Sequence, residues 1–212
     1  PTEEKTIEYL QTIEKIYQNF QGPVYHVLGN HDMDSISKKQ FLAHTQNTGI
    51  PPESAYYSFS KNGVRFMVLD ANVSSDGKDY DRGNFDWTDT NIPPAQLDWL
   101  ENELKRNDQP AMVFTHQRLD GAGSVYIKNA AQVREILEGS HKVLAAFHGH
   151  HHEGGYSLIQ GIHYYTLQAV VDGPAPENNS YAIVEVLPDG NITVTGYRKA
   201  VSKELPQSVR KV

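Results

Sequence analysis

Apolar positions along the 212-residue chain change period several times, and each change predicts an element. Ile7, Leu10, Ile13, Tyr17 and Phe20 fall three and four apart, the spacing of an amphipathic helix over residues 6–20, stopped by Gly22-Pro23. The run "VYHVL" (24–28) reads as a short buried strand with "GNHDMD" as the loop at its end. "SKKQFLAHTQ" reads as a second helix. "AYYSFSKNGVRFMVLDA" alternates β-branched and aromatic residues about Lys61-Asn62-Gly63 and predicts a hairpin. Residues 72–93 are polar and without period; a loop of that length inside a domain is usually functional. "PPAQLDWLENELKRN" puts Leu97, Leu100 and Leu104 on one helical face, with proline near its start. The strand "PAMVFTH" follows, then the helix "NAAQVREILEG" with Asn129 as expected N-cap, then the strand "KVLAAF". The segments 156–171 and 181–199 read as two hairpins, the second turning at Asp189-Gly190. Strand, loop and helix repeat and then give way to antiparallel hairpins. The expected fold class is therefore α/β, a layered sheet with a second, more antiparallel sheet packed on it, in one domain over residues 1–212.

Composition narrows the function. Hydrophobic residues make up 38% of the chain and aromatics 10%, enough for a real core. A net charge of −7, from 26 acidic and 19 basic residues, lacks the basic footprint of a nucleic-acid binder. Cysteine is absent, so any metal must be held by His, Asp, Glu, Asn or water. No apolar run approaches membrane-spanning length, so no membrane partner is expected. No signal-like segment is visible, which favours the cytoplasm as an expectation.

"LAAFHGHHHEGG" puts four histidines into five positions directly after an apolar run. Two more polar groups share its place in the pattern: Asn30-His31-Asp32 after "VYHVL", and His116 at the end of "MVFTH". Ligands of open α/β sheets sit outside the carboxyl ends of the strands, so three sequence-distant groups should meet at one edge. If the chain stays extended past Phe147, period two puts His150 and His152 on one side and His151 on the other. Imidazole nitrogens with an Asn carbonyl suit a divalent metal such as Mn, Fe or Zn. A lone strand-end histidine is more often a capped core residue, and Gly-Asn-His alone suits a turn; their shared order after buried strands is what favours a metal centre.

"GNHD", "TH" and "GHHH", in that order, resemble the later signature blocks of the calcineurin-like metallophosphoesterases, which read D-x-H, G-D-x-x-D, G-N-H-D/E, a lone His and G-H-x-H. "PPAQLDWLENEL" and "GHHHEGGYSLIQGIHYYTL" look most like the branch containing the manganese-dependent ADP-ribose/CDP-alcohol diphosphatases. The resemblance implies an α/β/β/α sandwich and a hydrolase that cleaves phosphodiester or nucleotide diphosphate bonds with two divalent metal ions, on a small phosphorylated, nucleotide-derived substrate. It implies Asn30, His116 and His150 as ligands of one metal and His152 as a ligand of the other. It makes His31 the histidine that assists the leaving oxygen, with Asp32 orienting it. The D-x-H and G-D-x-x-D blocks should precede "GNHD", but only 28 residues precede Gly29 and none is Asp. The expectation is an N-terminally incomplete domain lacking the family's first strands, weak in metal binding and hydrolysis by itself. The alternative is a non-catalytic scaffold of the same fold. Weaker substrate-binding candidates are Arg118, Asp81, Arg82 and Tyr156, with Asn84 and Glu153 at the rim. His148 and Asp70 are expected in supporting roles.

Overall fold

A computed structural model describes residues 1–207. In chain order it contains α1 (Glu3–Tyr17), a 3₁₀ turn (Asn30–Met33), α2 (Lys38–His44), β1 (Tyr57–Lys61), β2 (Val64–Val68), α3 (Pro94–Arg106), β3 (Ala111–Thr115), α4 (Ala130–Ser140), β4 (Val143–His148), β5 (Gly155–Ile159), β6 (Ile162–Thr166), β7 (Tyr181–Val186), β8 (Ile192–Tyr197) and β9 (Lys203–Leu205). Among the described residues no helix is long and apolar enough to cross a membrane.

The main sheet has the order β1-β2-β3-β4-β6-β5. Its four central strands run parallel, while β1 and β5 are antiparallel edges. One face packs on α3 and α4 through Leu97, Leu100, Leu104, Val133 and Leu137 against Met67, Val113, Ala146 and Tyr164. The other face meets the second sheet, β7-β8-β9, where Ile192, Val194 and Leu205 cover Met112, Phe147 and Tyr165. A row of rings crosses that interior, one from each of β1, β2, β3, β4 and β6: Phe59, Phe66, Phe114, Phe147 and Tyr165, with neighbouring centroids 5.1–6.2 Å apart. In-register pairing of Phe114, Phe147 and Tyr165 sets the row, because each occupies the same rung of its ladder. The architecture is thus the expected mixed α/β sheet with an antiparallel sheet on it.

Several expectations fail locally, each for a physical reason. The first helix starts and stops three residues earlier than its pattern, with Thr2 as N-cap accepting from the Lys5 amide. Only its Ile7 and Leu10 pack inward; Ile13, Tyr17 and Phe20 are exposed. Glu14 is buried instead, its carboxylate 2.7 Å from His26 Nε2, and that pairing sets which face turns inward. Residues 24–28 form no strand. Their backbone groups go to side chains: the His26 amide donates to Asn47 Oδ1, the Val24 amide to Thr48 Oγ1, and the His26 carbonyl accepts from the Tyr57 hydroxyl. Asn129 occupies the N-cap position of α4 as expected, but its side chain makes no capping bond because it is spent on the Ile92 amide and carbonyl. Residues 167–171 leave the ladder after β6, and the short β9 adds to β8 unforeseen.

Residues 72–93 carry no helix or strand, yet they are held firmly. Tyr80 is fully buried, stacks flat on Phe85 at 4.0 Å, and its hydroxyl forks to the Asp86 and Asp89 carbonyls. At the loop's start, buried Asn72 ties three segments together. Its amide nitrogen donates to the Leu28 carbonyl and to Asp70 Oδ1, and its oxygen accepts from Gln117. Asp70 in turn faces Lys38 at 2.6 Å. Removing Asn72 would strand buried donors and acceptors on three sides, each costing about 1–3 kcal/mol when left unpaired. Asn72→Ala should therefore lower stability by roughly 2 kcal/mol or more in urea unfolding, and a loss under about 0.5 kcal/mol would show that the web does not hold residues 28–30 in place.

Candidate metal centre

The parallel order of β2, β3, β4 and β6 brings their carboxyl ends to one edge. His116 follows β3 there, and its carbonyl accepts from the Gly149 amide across to the end of β4. Its ring is clamped between two glycines. A Cβ on Gly29 would stand 3.2 Å from the ring, and one on Gly149 3.3 Å from Nδ1, so side chains at either would press on it. Asn30 opens the 3₁₀ turn and is buried. His150 sits in a left-handed conformation, φ +63°, which a non-glycine residue adopts only when its surroundings hold it there. That conformation aims its ring, and it replaces the extended period-two path expected after Phe147.

Three polar atoms meet as a result. Asn30 Oδ1 lies 2.9 Å from His116 Nε2 and 3.1 Å from His150 Nδ1, and the two nitrogens are 3.2 Å apart. Burial drives His116 down to about 3, with the neighbouring His150, His31 and His152 adding to the effect; burial likewise lowers His150 to about 4. Both rings are neutral at physiological pH, and neutral imidazole is the metal-binding form. For a cation about 2.0–2.2 Å from each donor, neighbouring octahedral positions lie roughly 2.8–3.1 Å apart. The triangle's edges fit one such face, and its N and O donors suit Mn, Fe or Zn. Among the described residues no carboxylate joins this triangle.

Other expected site residues fall into distinct places. His31 is exposed beside the triangle, and its Nδ1 stands 2.8 Å from Asp34 Oδ2, so Asp34 and not Asp32 orients it. The 3₁₀ turn explains the correction: with three residues per turn, positions i and i+3 eclipse, whereas adjacent residues diverge. Asp32 turns inward, where its Oδ2 accepts from the Gly29 amide; burial outweighs that bond and raises it to about 6. His152 stays outside the triangle, half-exposed, with Nδ1 2.9 Å from Asp172 Oδ1. His148 is fully buried and stacked on Tyr164. Arg118 is not poised for a phosphate: Nε and NH2 fork onto Asp120, and the guanidinium lies over Tyr126. Arg82 binds Glu3, Asp81 and Gln40, which pins the loop to the start of α1, while Asn84 caps Asp81. Tyr156 meets His163 and Lys203 on the second-sheet side, away from the triangle. Glu153 is exposed near His151, and Asp70 belongs to the Asn72 web. Three residues were missed altogether: Asp34 and Asp172, the partners of His31 and His152, and Trp87, from the long loop, which places its ring 5.5 Å from that of His150. A lone tryptophan in an otherwise polar stretch was the available signal.

Residues 1–154 match the calcineurin-like phosphoesterase family, and the chain belongs to it, a family of metal-dependent phosphoester hydrolases that bind two divalent metals. Among curated relatives, a manganese-dependent ADP-ribose/CDP-alcohol diphosphatase of Oryza sativa subsp. japonica is 26% identical over 95% of this chain and 74% of its own. The Homo sapiens protein of the same name is 25% identical over 85% of this chain and 67% of its own. A dimetal phosphatase of Danio rerio shares the fold, with a TM-score of 0.79 at 19% identity over 97% of this chain and 79% of that one.

The buried rings give the centre an acid sensitivity. Below about pH 6.5 an unfolded histidine takes up a proton that folded His116, His148 and His150 refuse until about pH 3–4. The unfolded state then binds more protons, so stability falls as pH drops through that window. Asp32, raised from 3.8 to about 6, acts in the opposite sense, but it is one carboxyl against three rings. Chelator-treated protein should lose melting temperature steadily from pH 7 to pH 4.5. A flat or rising profile would show that these rings are not held neutral.

Proposed function

We propose that the protein hydrolyses the diphosphate bond of nucleotide-derived substrates, of the ADP-ribose or CDP-alcohol kind named for its relatives, with manganese as its metal. The observation that carries the reading is the Asn30–His116–His150 donor triangle with an exposed histidine beside it. Asn30 Oδ1, His116 Nε2 and His150 Nδ1 would hold one cation, and His152, steadied by Asp172, would be a donor for a second. Bound there, a divalent cation supplies charge for the phosphoryl oxygens and acidifies water at neutral pH. Three neutral donors neutralise none of that charge, so the anionic diphosphate is drawn to this edge of the sheet.

His31 supplies the proton. Asp34 holds its Nδ1–H, which fixes the ring and turns Nε2 outward to where a substrate lies. From Nε2–H the ring hands its proton to the departing oxygen as the bond to phosphorus breaks. Asp32, tied to the Gly29 amide, shapes the turn that presents Asn30 inward and His31 outward.

Purified protein with Mn²⁺ should convert ADP-ribose and water to AMP and ribose 5-phosphate, slowly because no carboxylate among the described residues joins the donors, and chelation should stop it. His31→Asn should keep metal content while lowering kcat by about 10²–10⁴-fold on an alkyl phosphodiester, whose departing alkoxide needs a proton, with a smaller loss for a nitrophenolate leaving group that needs none. His150→Asn should instead lower metal occupancy. If His31→Asn strips the metal, or slows good and poor leaving groups equally, the acid role is wrong. A protein that binds Mn²⁺ yet cleaves none of these substrates would be the scaffold.

A further inference from the structure

Trp87 is a large aromatic on the solvent side of the metal centre, and nothing in the core accounts for it. Its side chain is 45% exposed, whereas the chain's other tryptophan, Trp99, packs against the α3–α4 core and edge-on to Tyr56. The indole stands 5.5 Å from the His150 ring, tilted 58° to it, so it borders the donor triangle.

The turn that displays it is built and rigid. Asp86 accepts from the Thr88 amide and hydroxyl, the Asp89 amide donates to the Asp86 carbonyl, and the buried Tyr80 hydroxyl reaches both the Asp86 and Asp89 carbonyls. The Asp89 carboxylate holds the Ser75 amide and hydroxyl on the far side. Exposing an indole forgoes the burial energy it would gain in a core, and here a network of hydrogen bonds fixes it in that exposed position. A preorganised flat apolar face beside a phosphate-seeking centre matches a ligand with a planar ring at one end and phosphate at the other.

We propose that Trp87 is the platform on which the base of a nucleotide substrate stacks while its diphosphate lies at the Asn30–His116–His150 triangle; this rests on the function proposed above. Stacking reads flatness and not the hydrogen-bonding edge of the base. An indole platform therefore accepts adenine and cytosine alike, so one site takes both ADP-linked and CDP-linked substrates. Trp87 contributes to binding and leaves the bond-breaking step to the groups around the metal.

The chain contains two tryptophans, so Trp99→Phe leaves Trp87 as the sole indole reporter. AMP and ribose 5-phosphate differ only by the base and make a matched pair of probes, used with Zn²⁺, which does not itself quench fluorescence through unpaired electrons. AMP should quench Trp87 emission saturably and ribose 5-phosphate should not. In the otherwise native protein, Trp87→Ala should weaken AMP binding by roughly 5- to 150-fold, the range for loss of one base–aromatic stack, with ribose 5-phosphate binding unchanged. Trp87→Phe should recover most of that loss. AMP that binds without quenching, AMP that does not bind, or an Ala variant that weakens both probes equally would overturn the platform. If wild-type protein still cleaves ADP-ribose in those cases, only the platform falls; if it cleaves none, the function itself falls.

Discussion

Three electronegative atoms held within 2.9–3.2 Å of one another, two of them on rings that burial keeps uncharged, are the constraint around which this end of the molecule is arranged. Two neutral imidazoles and an amide oxygen cannot satisfy all three edges with protons: either the two facing nitrogens both carry N–H and meet donor to donor, or at least one edge sets lone pair against lone pair. A cation at the centre would turn that mutual repulsion into coordination. The surrounding oddities follow from the same need. Gly29 and Gly149 lack side chains because the His116 ring fills the space between them. His150 accepts a left-handed backbone because only that conformation aims Nδ1 at the other two.

The donors reach this point by different mechanical routes. His116 and His150 ride on adjacent parallel strands whose register is locked by Phe114 against Phe147 and by the apolar contacts beneath. Asn30 has no strand behind it. Its position depends on Asn72, itself held by Gln117, clasping the Leu28 carbonyl, and on side chains of the 47–57 region holding residues 24–26. Polar satisfaction does there what a β ladder does elsewhere, and since buried amides and carbonyls are costly to leave unpaired, the clasp is stiff. The same logic fixes the long loop: buried Tyr80 anchors it, and its hydrogen bonds to Asp86 and Asp89 decide where Trp87 emerges.

What could be read from the residues follows from range. The parallel strands and the helices on them announced themselves through apolar runs and three-four spacing, and the family blocks marked which loops carry chemistry. That Asn30, His116 and His150 meet was legible because each follows an apolar run, and parallel strands align such ends. Asp34 was not: "GNHDMD" read as extended loop hides the three-residue turn that pairs it with His31. Trp87 was not, because a stretch without period gives no hint that a tyrosine seven residues earlier is its anchor. Arg118 read equally as a phosphate donor or a solvated loop residue, and the local turn settles it by folding Asp120, two residues on, onto its guanidinium. The α1 pattern misled for a related reason, since burying Glu14 with His26 outranks the apolar stripe.

The most direct measurement is anomalous diffraction from crystals of the protein soaked in Mn²⁺. A strong manganese peak about 2.0–2.3 Å from Asn30 Oδ1, His116 Nε2 and His150 Nδ1, with the three side chains where they now stand, is the predicted result. Manganese bound only away from the triangle, with the His116 and His150 rings still hydrogen-bonded to Asn30, would contradict the account.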